Sequence, residues 1–106
     1  MISFDDFKKV SIKIARIKEA REHPNADKLY VLKIEIGGEE REVVAGIKKA
    51  YKLDELNGKL VVVVENLQPA TIRGVESNGM VLAAQDGESL VLLSPEKPIS
   101  TGAIVK

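Results

Sequence analysis

Apolar and polar residues alternate along several short stretches of the chain, a period of two that predicts β-strands. The alternation over residues 10–14 changes phase after Ala15, which predicts a bulge within one long strand. A second strand is predicted at residues 29–36, with four apolar side chains on one face: Tyr30, Leu32, Ile34 and Ile36. Gly37-Gly38 then favours a tight hairpin leading into a third strand at residues 40–45.

The rest of the chain predicts a short helix and further strands. Residues 47–56 show no strand alternation and are predicted to form a short helix, whereas Leu60–Val64, apolar on both faces, predicts a buried central strand. Shorter strands are predicted at 80–84, 89–93 and 103–105, with residues 75–79 as a turn. Near the N-terminus, Ser3 is expected to cap a helical turn in which Phe4 and Phe7 share one buried side.

This order of elements predicts an all-β fold. Short strands separated by tight turns, with one helix between the third and fourth, fit a five-stranded Greek-key barrel of the oligonucleotide-binding (OB) type. The short helix and small terminal appendages complete the prediction, and residues 1–106 are expected to form a single domain. An open β-sandwich is the alternative that the pattern alone allows.

Composition and charge narrow the classes of function. Sixteen basic residues balance sixteen acidic ones, so bulk attraction cannot be the basis of nucleic-acid binding. The basic residues are concentrated in the first half, where residues 1–53 carry twelve against nine acidic ones. The absence of cysteine excludes disulfides, and no apolar run is long enough to cross a membrane. A cytoplasmic protein is expected.

The residue types needed for catalysis and metal binding are sparse. His23 is the only histidine, and no nucleophile or oxyanion site is placed to work with it, so no catalytic residue is predicted. We expect its ring or backbone to help hold the loop, together with Pro24, Asn25 and Asp27. One histidine without cysteine does not make a zinc site, and neither a metal nor a cofactor is predicted.

Five motifs in the same order and spacing resemble the tRNA-binding domain family. The motifs are HPNADKL at 23–29, VAGI at 44–47, LVVVVENLQPA at 60–70, RGVESNGM at 73–80 and LAA at 82–84. This family includes C-terminal domains of methionyl-tRNA synthetases, a free-standing bacterial tRNA-binding protein and a cytokine-like domain of synthetase-associated factors. The resemblance implies an OB-type barrel that binds the outer corner of folded tRNA with little sequence specificity and performs no chemistry.

The resemblance also nominates RNA contacts residue by residue. The family motifs place them at five positions: Lys28, Asn66, Arg73, Ser77 and Met80. Lys33 and Arg41 are added on physical grounds, because they lie on the strands joined by the predicted hairpin. Gln68 stands where many members of the family carry a lysine, so the phosphate contact expected there is missing from this chain.

The family further implies a homodimer whose terminal segments pack together. The resemblance favours a C-terminal domain or β subunit of a methionyl-tRNA synthetase, with the catalytic part of that enzyme as a further partner. The main alternative is an export-related dimeric chaperone of the same fold, which binds unfolded polypeptide. Residues 23–29 favour the tRNA branch, because the chaperone pattern lacks this stretch.

Overall fold

The computed structural model describes residues 1–106 and consists mainly of short antiparallel β-strands. One short helix, α1, spans Phe4–Lys8, and Ser3 caps it as predicted by accepting a hydrogen bond from the Asp6 amide. The strands are β1 Ile12–Glu22, β2 Tyr30–Ile36, β3 Glu39–Ala45, β4 Leu60–Val64, β5 Ala70–Ile72, β6 Val75–Ser77, β7 Met80–Val81, β8 Ala83–Asp86 and β9 Ser89–Leu92.

Five of these strands form one curled sheet in the order β3-β2-β1-β4-β7, which confirms the prediction of a five-stranded all-β fold. The predicted inward face of β2 is buried, and so are Val61–Val64 of the central strand β4. β1 pairs with both β2 and β4, and its register shifts between Ile17 and Glu19. This irregularity is the bulge predicted from the change of phase, and it lets one long strand bend around the core.

The two edges of the sheet approach each other, which distinguishes the fold from an open sandwich. The Asn78 amide, just before β7, donates to the carbonyl of Glu42 in the edge strand β3 at 2.9 Å. Gly79, which leads into β7, has a φ of +128°, and a Cβ there would lie 3.2 Å from the Val64 carbonyl oxygen. Glycine is therefore required for the close approach that lets β7 pair with β4.

Two hairpins and the C-terminal segment complete the fold. The pairs β5–β6 and β8–β9 each form a separate two-stranded sheet. The C-terminal segment returns to β1, where Ile104 bridges Lys13, as predicted for a last short strand. Thr101 anchors this segment, because its hydroxyl accepts from the Gly37 amide and donates to the Glu35 carboxylate at 2.7 Å.

Two predictions about helical segments differ from the structure, the first because of a tertiary hydrogen bond and the second because α1 does not pack against the core. Residues 47–56 form no α-helix: the Tyr51 amide bonds the Ile47 carbonyl in a single turn, and a 3-10 turn follows at Leu53–Glu55. The Tyr51 carbonyl, which would accept a bond within an α-helix, instead accepts one from the Tyr30 hydroxyl at 2.8 Å. The expectation that Phe4 and Phe7 are buried is wrong: every residue of α1 is exposed, and Phe4 is 71% exposed.

The prediction of one strand at residues 80–84 is also corrected. The chain leaves the large sheet at Leu82, so that β7 pairs with β4 and β8 pairs with β9. Leu82 joins the two sheets because its amide donates to Val62 and its carbonyl accepts from Leu93. Part of the predicted turn at 75–79 is strand β6, which exists only through its pairing with β5.

Candidate nucleic-acid interface

The loop between β1 and β2 is built around the buried side chain of His23. The Asn25 amide donates to His23 Nδ1 at 2.9 Å, which leaves the ring proton on Nε2. Nε2 in turn donates to the Ile72 carbonyl at 2.9 Å, in the β5–β6 hairpin. Both ring nitrogens are thus used to hold the loop and the hairpin together, in the structural role expected for this histidine.

Asn25 and Arg73 form a second, solvent-exposed connection between the loop and the β5–β6 hairpin. The Asn25 side-chain amide donates to the Arg73 carbonyl, and the Arg73 guanidinium donates to the Asn25 carbonyl, each at 3.2 Å. Arg73 is the only non-glycine residue with a positive φ, +53°. A left-handed conformation costs an L-residue about 1–2 kcal/mol, so these contacts hold Arg73 in a position that it would not adopt alone.

The connection brings Arg73 and Lys28 to one rim of the molecule. Both side chains line a small cavity of about 300 Å³, together with Asp27. Neither cation takes part in an ion pair, in contrast to Lys13 and Lys48, which pair with carboxylates at 2.9 and 2.7 Å. Cations without a protein carboxylate are available to RNA phosphates, and these two were both nominated from the motifs.

Lys33 and Arg41 do not form one surface. In the pairing of β2 with β3, Arg41 lies opposite the buried Ile34, whereas Lys33 lies opposite Glu42 on the other face. Lys33 is partly exposed, and its ammonium is 3.7 Å from the Glu19 carboxylate.

The Arg41 guanidinium forms most of its hydrogen bonds and ion pairs with other groups of the protein. Its side chain is only 18% exposed, Nη1 donates to the Glu65 carbonyl at 2.6 Å, and Nε pairs with Glu39 at 2.5 Å. The Glu65 carboxylate lies 3.9 Å from Nη2. The hydroxyl of Ser11 and the ammonium of Lys13 hold the pKa of Glu65 below the ordinary glutamate value, which keeps this cluster charged.

Asn66 and Ser77 join segments of the fold. Asn66 accepts from the Ser11 amide at 2.8 Å and donates to the Lys9 carbonyl at 2.7 Å, which ties the end of β4 to the entry of β1. Ser77 is buried, and its hydroxyl accepts from the Val44 amide at 2.9 Å and donates to the Gly79 carbonyl. Their roles as RNA contacts remain predictions. Met80 is 46% exposed at the start of β7.

Lys49 is a cation that the sequence analysis did not place in the site. It lines a larger cleft of about 670 Å³ that shares Lys28 and Leu29 with the small cavity. Its side chain is exposed and forms no ion pair, whereas the adjacent Lys48 is bound to Glu22. The signal in the sequence was the Lys48-Lys49 pair, but only the structure shows which of the two faces the cleft.

The structure contains no helix with the length and apolar character needed to span a bilayer. It also contains no group of three or more His, Cys, Asp or Glu side chains arranged to hold a metal ion.

Comparison with known proteins identifies relatives over nearly the whole chain. Residues 12–104 match the family model described as "Putative tRNA binding domain". The chain is 53% identical over 105 residues to a methionine–tRNA ligase of Pyrococcus furiosus, and 50% identical over 104 residues to that of Thermotoga maritima. These matches cover 99% and 98% of this chain but only 14% and 16% of the two ligases.

Solved structures agree with this assignment. A protein related to methionyl-tRNA synthetase from Pyrococcus horikoshii superposes with a TM-score of 0.93 at 33% identity, covering 100% of this chain and 98% of that one. The CsaA chaperone protein of Picrophilus torridus also superposes with a TM-score of 0.93, at 34% identity and with full coverage of both chains. The chain belongs to the tRNA-binding domain family.

Proposed function

We propose that this chain is a non-catalytic module, of the OB type and a single domain over residues 1–106, that captures the outer corner of folded tRNA. The observation that carries the proposal is the pair of unpaired cations, Lys28 and Arg73, held at one rim by the bonds around His23 and Asn25. Phosphate contacts of this kind position RNA without reading its sequence, which fits a binder with little sequence specificity.

The natural setting proposed for the module is a methionyl-tRNA synthetase in the cytoplasm. The support is the 53% identity to a segment of the Pyrococcus furiosus methionine–tRNA ligase. As a C-terminal domain or β subunit, the module would raise the local concentration of tRNA near the catalytic part of the enzyme.

We also propose that the functional form is a homodimer joined through the terminal segments. The support is a set of apolar side chains that are exposed in the single chain, including Ile2 and Ile104 at 71% each. Large apolar side chains left in water near both termini favour burial against a second copy. Each chain has zero net charge and therefore attracts RNA weakly as a whole. A dimer would present two cation pairs to one tRNA, which would raise the affinity.

The experiment that tests tRNA binding is a titration of folded tRNA against an unfolded RNA of equal length, at two salt concentrations. Preference for folded tRNA is expected, and the logarithm of affinity should fall with that of salt by about 0.7–0.9 per phosphate contact. Equal binding of the two RNAs would contradict the proposal.

A chaperone is the second candidate function, because the CsaA structures match this fold closely. Val91 and Leu93, 50% and 39% exposed, offer an apolar surface on and just after β9 for an extended polypeptide. The test is binding of a labelled, permanently unfolded polypeptide with tRNA as competitor. Polypeptide binding without tRNA binding would replace the first proposal with this one.

A further inference from the structure

The larger cleft lies beside the Lys28–Arg73 rim, and it has two walls. One wall is the loop before β2, with Lys28 and Leu29, and the other is the β8–β9 hairpin, which lies outside the five-stranded sheet. Its volume of about 670 Å³ falls within the range of roughly 300–1,000 Å³ typical of small-ligand sites. The cleft is therefore large enough for one nucleotide and too small for a duplex.

The charges around the cleft match a single phosphate group. Lys28 and Lys49 line it without ion pairs, and Glu88 is the carboxylate among its lining residues. The adjoining small cavity adds Arg73 and Asp27. Three cations and two carboxylates leave a net charge of +1, which neutralises one phosphodiester but not a run of them.

The apolar part of the lining supplies a surface for a base. Leu29 and Leu90 are half-buried, and Ala50 also lines the cleft. No aromatic ring lines the cleft, so a base would pack against aliphatic side chains. A base needs such apolar contact only when it is unstacked, since a paired base is already covered by its neighbours.

Two tyrosines hold the walls of the cleft in place. The Tyr51 hydroxyl accepts a hydrogen bond from the Leu92 amide at 3.0 Å, which ties β9 to the segment after β3. The Tyr51 carbonyl accepts from the hydroxyl of the buried Tyr30 at 2.8 Å. Because these bonds fix the hairpin before any ligand arrives, binding in the cleft requires little ordering of the protein.

We propose that this cleft receives one unpaired, unstacked nucleotide of the bound RNA. Its phosphate lies between Lys28 and Lys49, its base packs between Leu29 and Leu90, and the Glu88 carboxylate accepts a hydrogen bond from an amino group of the base. The inference rests on the proposed RNA-binding function and adds to it a preference for RNA with an unpaired nucleotide.

The test compares a short blunt RNA duplex with the same duplex carrying one bulged nucleotide, by fluorescence anisotropy with the full chain. The bulged duplex is expected to bind about fivefold to tenfold more tightly, near the low end of the gain from stacking one base on an aromatic ring, because the cleft offers only aliphatic contacts. Lys49→Ala and Leu90→Ala are expected to bring this ratio close to one. Lys59→Ala, which removes an exposed lysine on the turn before β4, is the matched control and should leave the ratio unchanged.

Leu90 also packs against the core, so a thermal melt must accompany its variant, and Leu90→Met retains most of the volume. Lys49 is exposed, and its variant is therefore informative whatever happens to Leu90. Equal affinity of the wild-type chain for the two duplexes, or a ratio that survives Lys49→Ala, overturns the inference. The proposed function is judged separately, because it fails only if the wild-type chain does not prefer folded tRNA.

Discussion

The Nε2 atom of His23 lies 2.9 Å from the carbonyl oxygen of Ile72, although 49 positions separate the two residues in the chain. This bond joins the loop that carries Lys28 to the hairpin that carries Arg73. The buried imidazole is therefore a structural tie between the two segments that carry the cations that we propose as RNA contacts.

Replacing His23 tests this tie. His23→Phe preserves most of the volume but leaves the Ile72 carbonyl and the Asn25 amide without partners. The free energy of unfolding should fall by about 2–4 kcal/mol, because each unsatisfied group costs roughly 1–3 kcal/mol and Asn25, which is exposed, recovers part of its loss from water. A chemical denaturation curve measures the change, with Lys59→Ala as the control. An unchanged free energy of unfolding would show that the tie adds nothing to stability.

Arg73→Asn separates stability from RNA binding. Asparagine tolerates a positive φ, so the fold should lose no more than about 1 kcal/mol. The lost guanidinium should lower tRNA affinity about threefold to tenfold and reduce the slope of affinity against salt by about one contact. Denaturation and anisotropy titrations measure the two effects. Arg73→Lys keeps the charge and should retain most of the affinity; equal affinity of wild type and Arg73→Asn would remove this residue from the site.

The lowered pKa values of Glu35 and Glu65 predict that acid destabilises the fold. The Thr101 hydroxyl and the Gly38 amide hold the pKa of Glu35 below its ordinary value, as Ser11 and Lys13 do for Glu65. Their contribution to stability is complete above the unfolded pKa of about 4.3 and is lost as the pH falls through the lower folded pKa. Melting temperature should therefore drop below about pH 4.3.

Glu35→Gln provides the variant for that prediction. It should lower the melting temperature at pH 7, because the neutral amide binds Thr101 more weakly, and flatten the decline in acid. Glu96→Gln alters an exposed carboxylate and serves as the control. If Glu35→Gln retains the full acid sensitivity of the wild type, the Thr101 contact is not its source.

Ser77→Ala is expected to act mainly on stability. Its buried hydroxyl bonds the Val44 amide, and removal should cost about 1–3 kcal/mol of unfolding free energy. Ser89→Ala, which changes an exposed side chain at the start of β9, is the matched control. Comparing tRNA affinity of the two variants well below their melting temperatures separates a fold contact from an RNA contact at Ser77. A Ser77→Ala protein as stable as the control would contradict the structural role.

The proposed dimer predicts that polar substitutions near the termini produce monomers. Phe4→Ser and Ile104→Ser change side chains that are each 71% exposed in the single chain, so neither should unfold it. Sedimentation velocity across a concentration series should show a dimer for the wild type and weaker association for the double variant. Val91→Ser, also exposed but on the β8–β9 hairpin, should leave association unchanged. A wild-type chain that remains monomeric at every concentration would contradict the proposed dimer.

Strand periodicity was readable from the sequence because it is a local property. The buried face of β2, the turn at Gly37-Gly38 and the bulge in β1 each depend on residues that are neighbours in the chain. The motifs carried the family assignment for the same reason, since their order and spacing are fixed before folding. Lys28 and Arg73 were nominated in this way.

Only the tertiary structure decided which polar side chains remain available. Arg41 and Asn66 resemble Arg73 and Lys28 as sequence candidates, yet Glu65 bonds Arg41 and Ser11 bonds Asn66 from distant parts of the chain. The sequence by itself determined the first four strands, the turn at Gly37-Gly38 and the family. The split at Leu82 and the Lys49 cleft were decided by long-range contacts, and Phe4 is exposed because α1 does not pack against the core. Such contacts depend on which residues distant in the chain lie together in the folded state, and local periodicity carries no information about that.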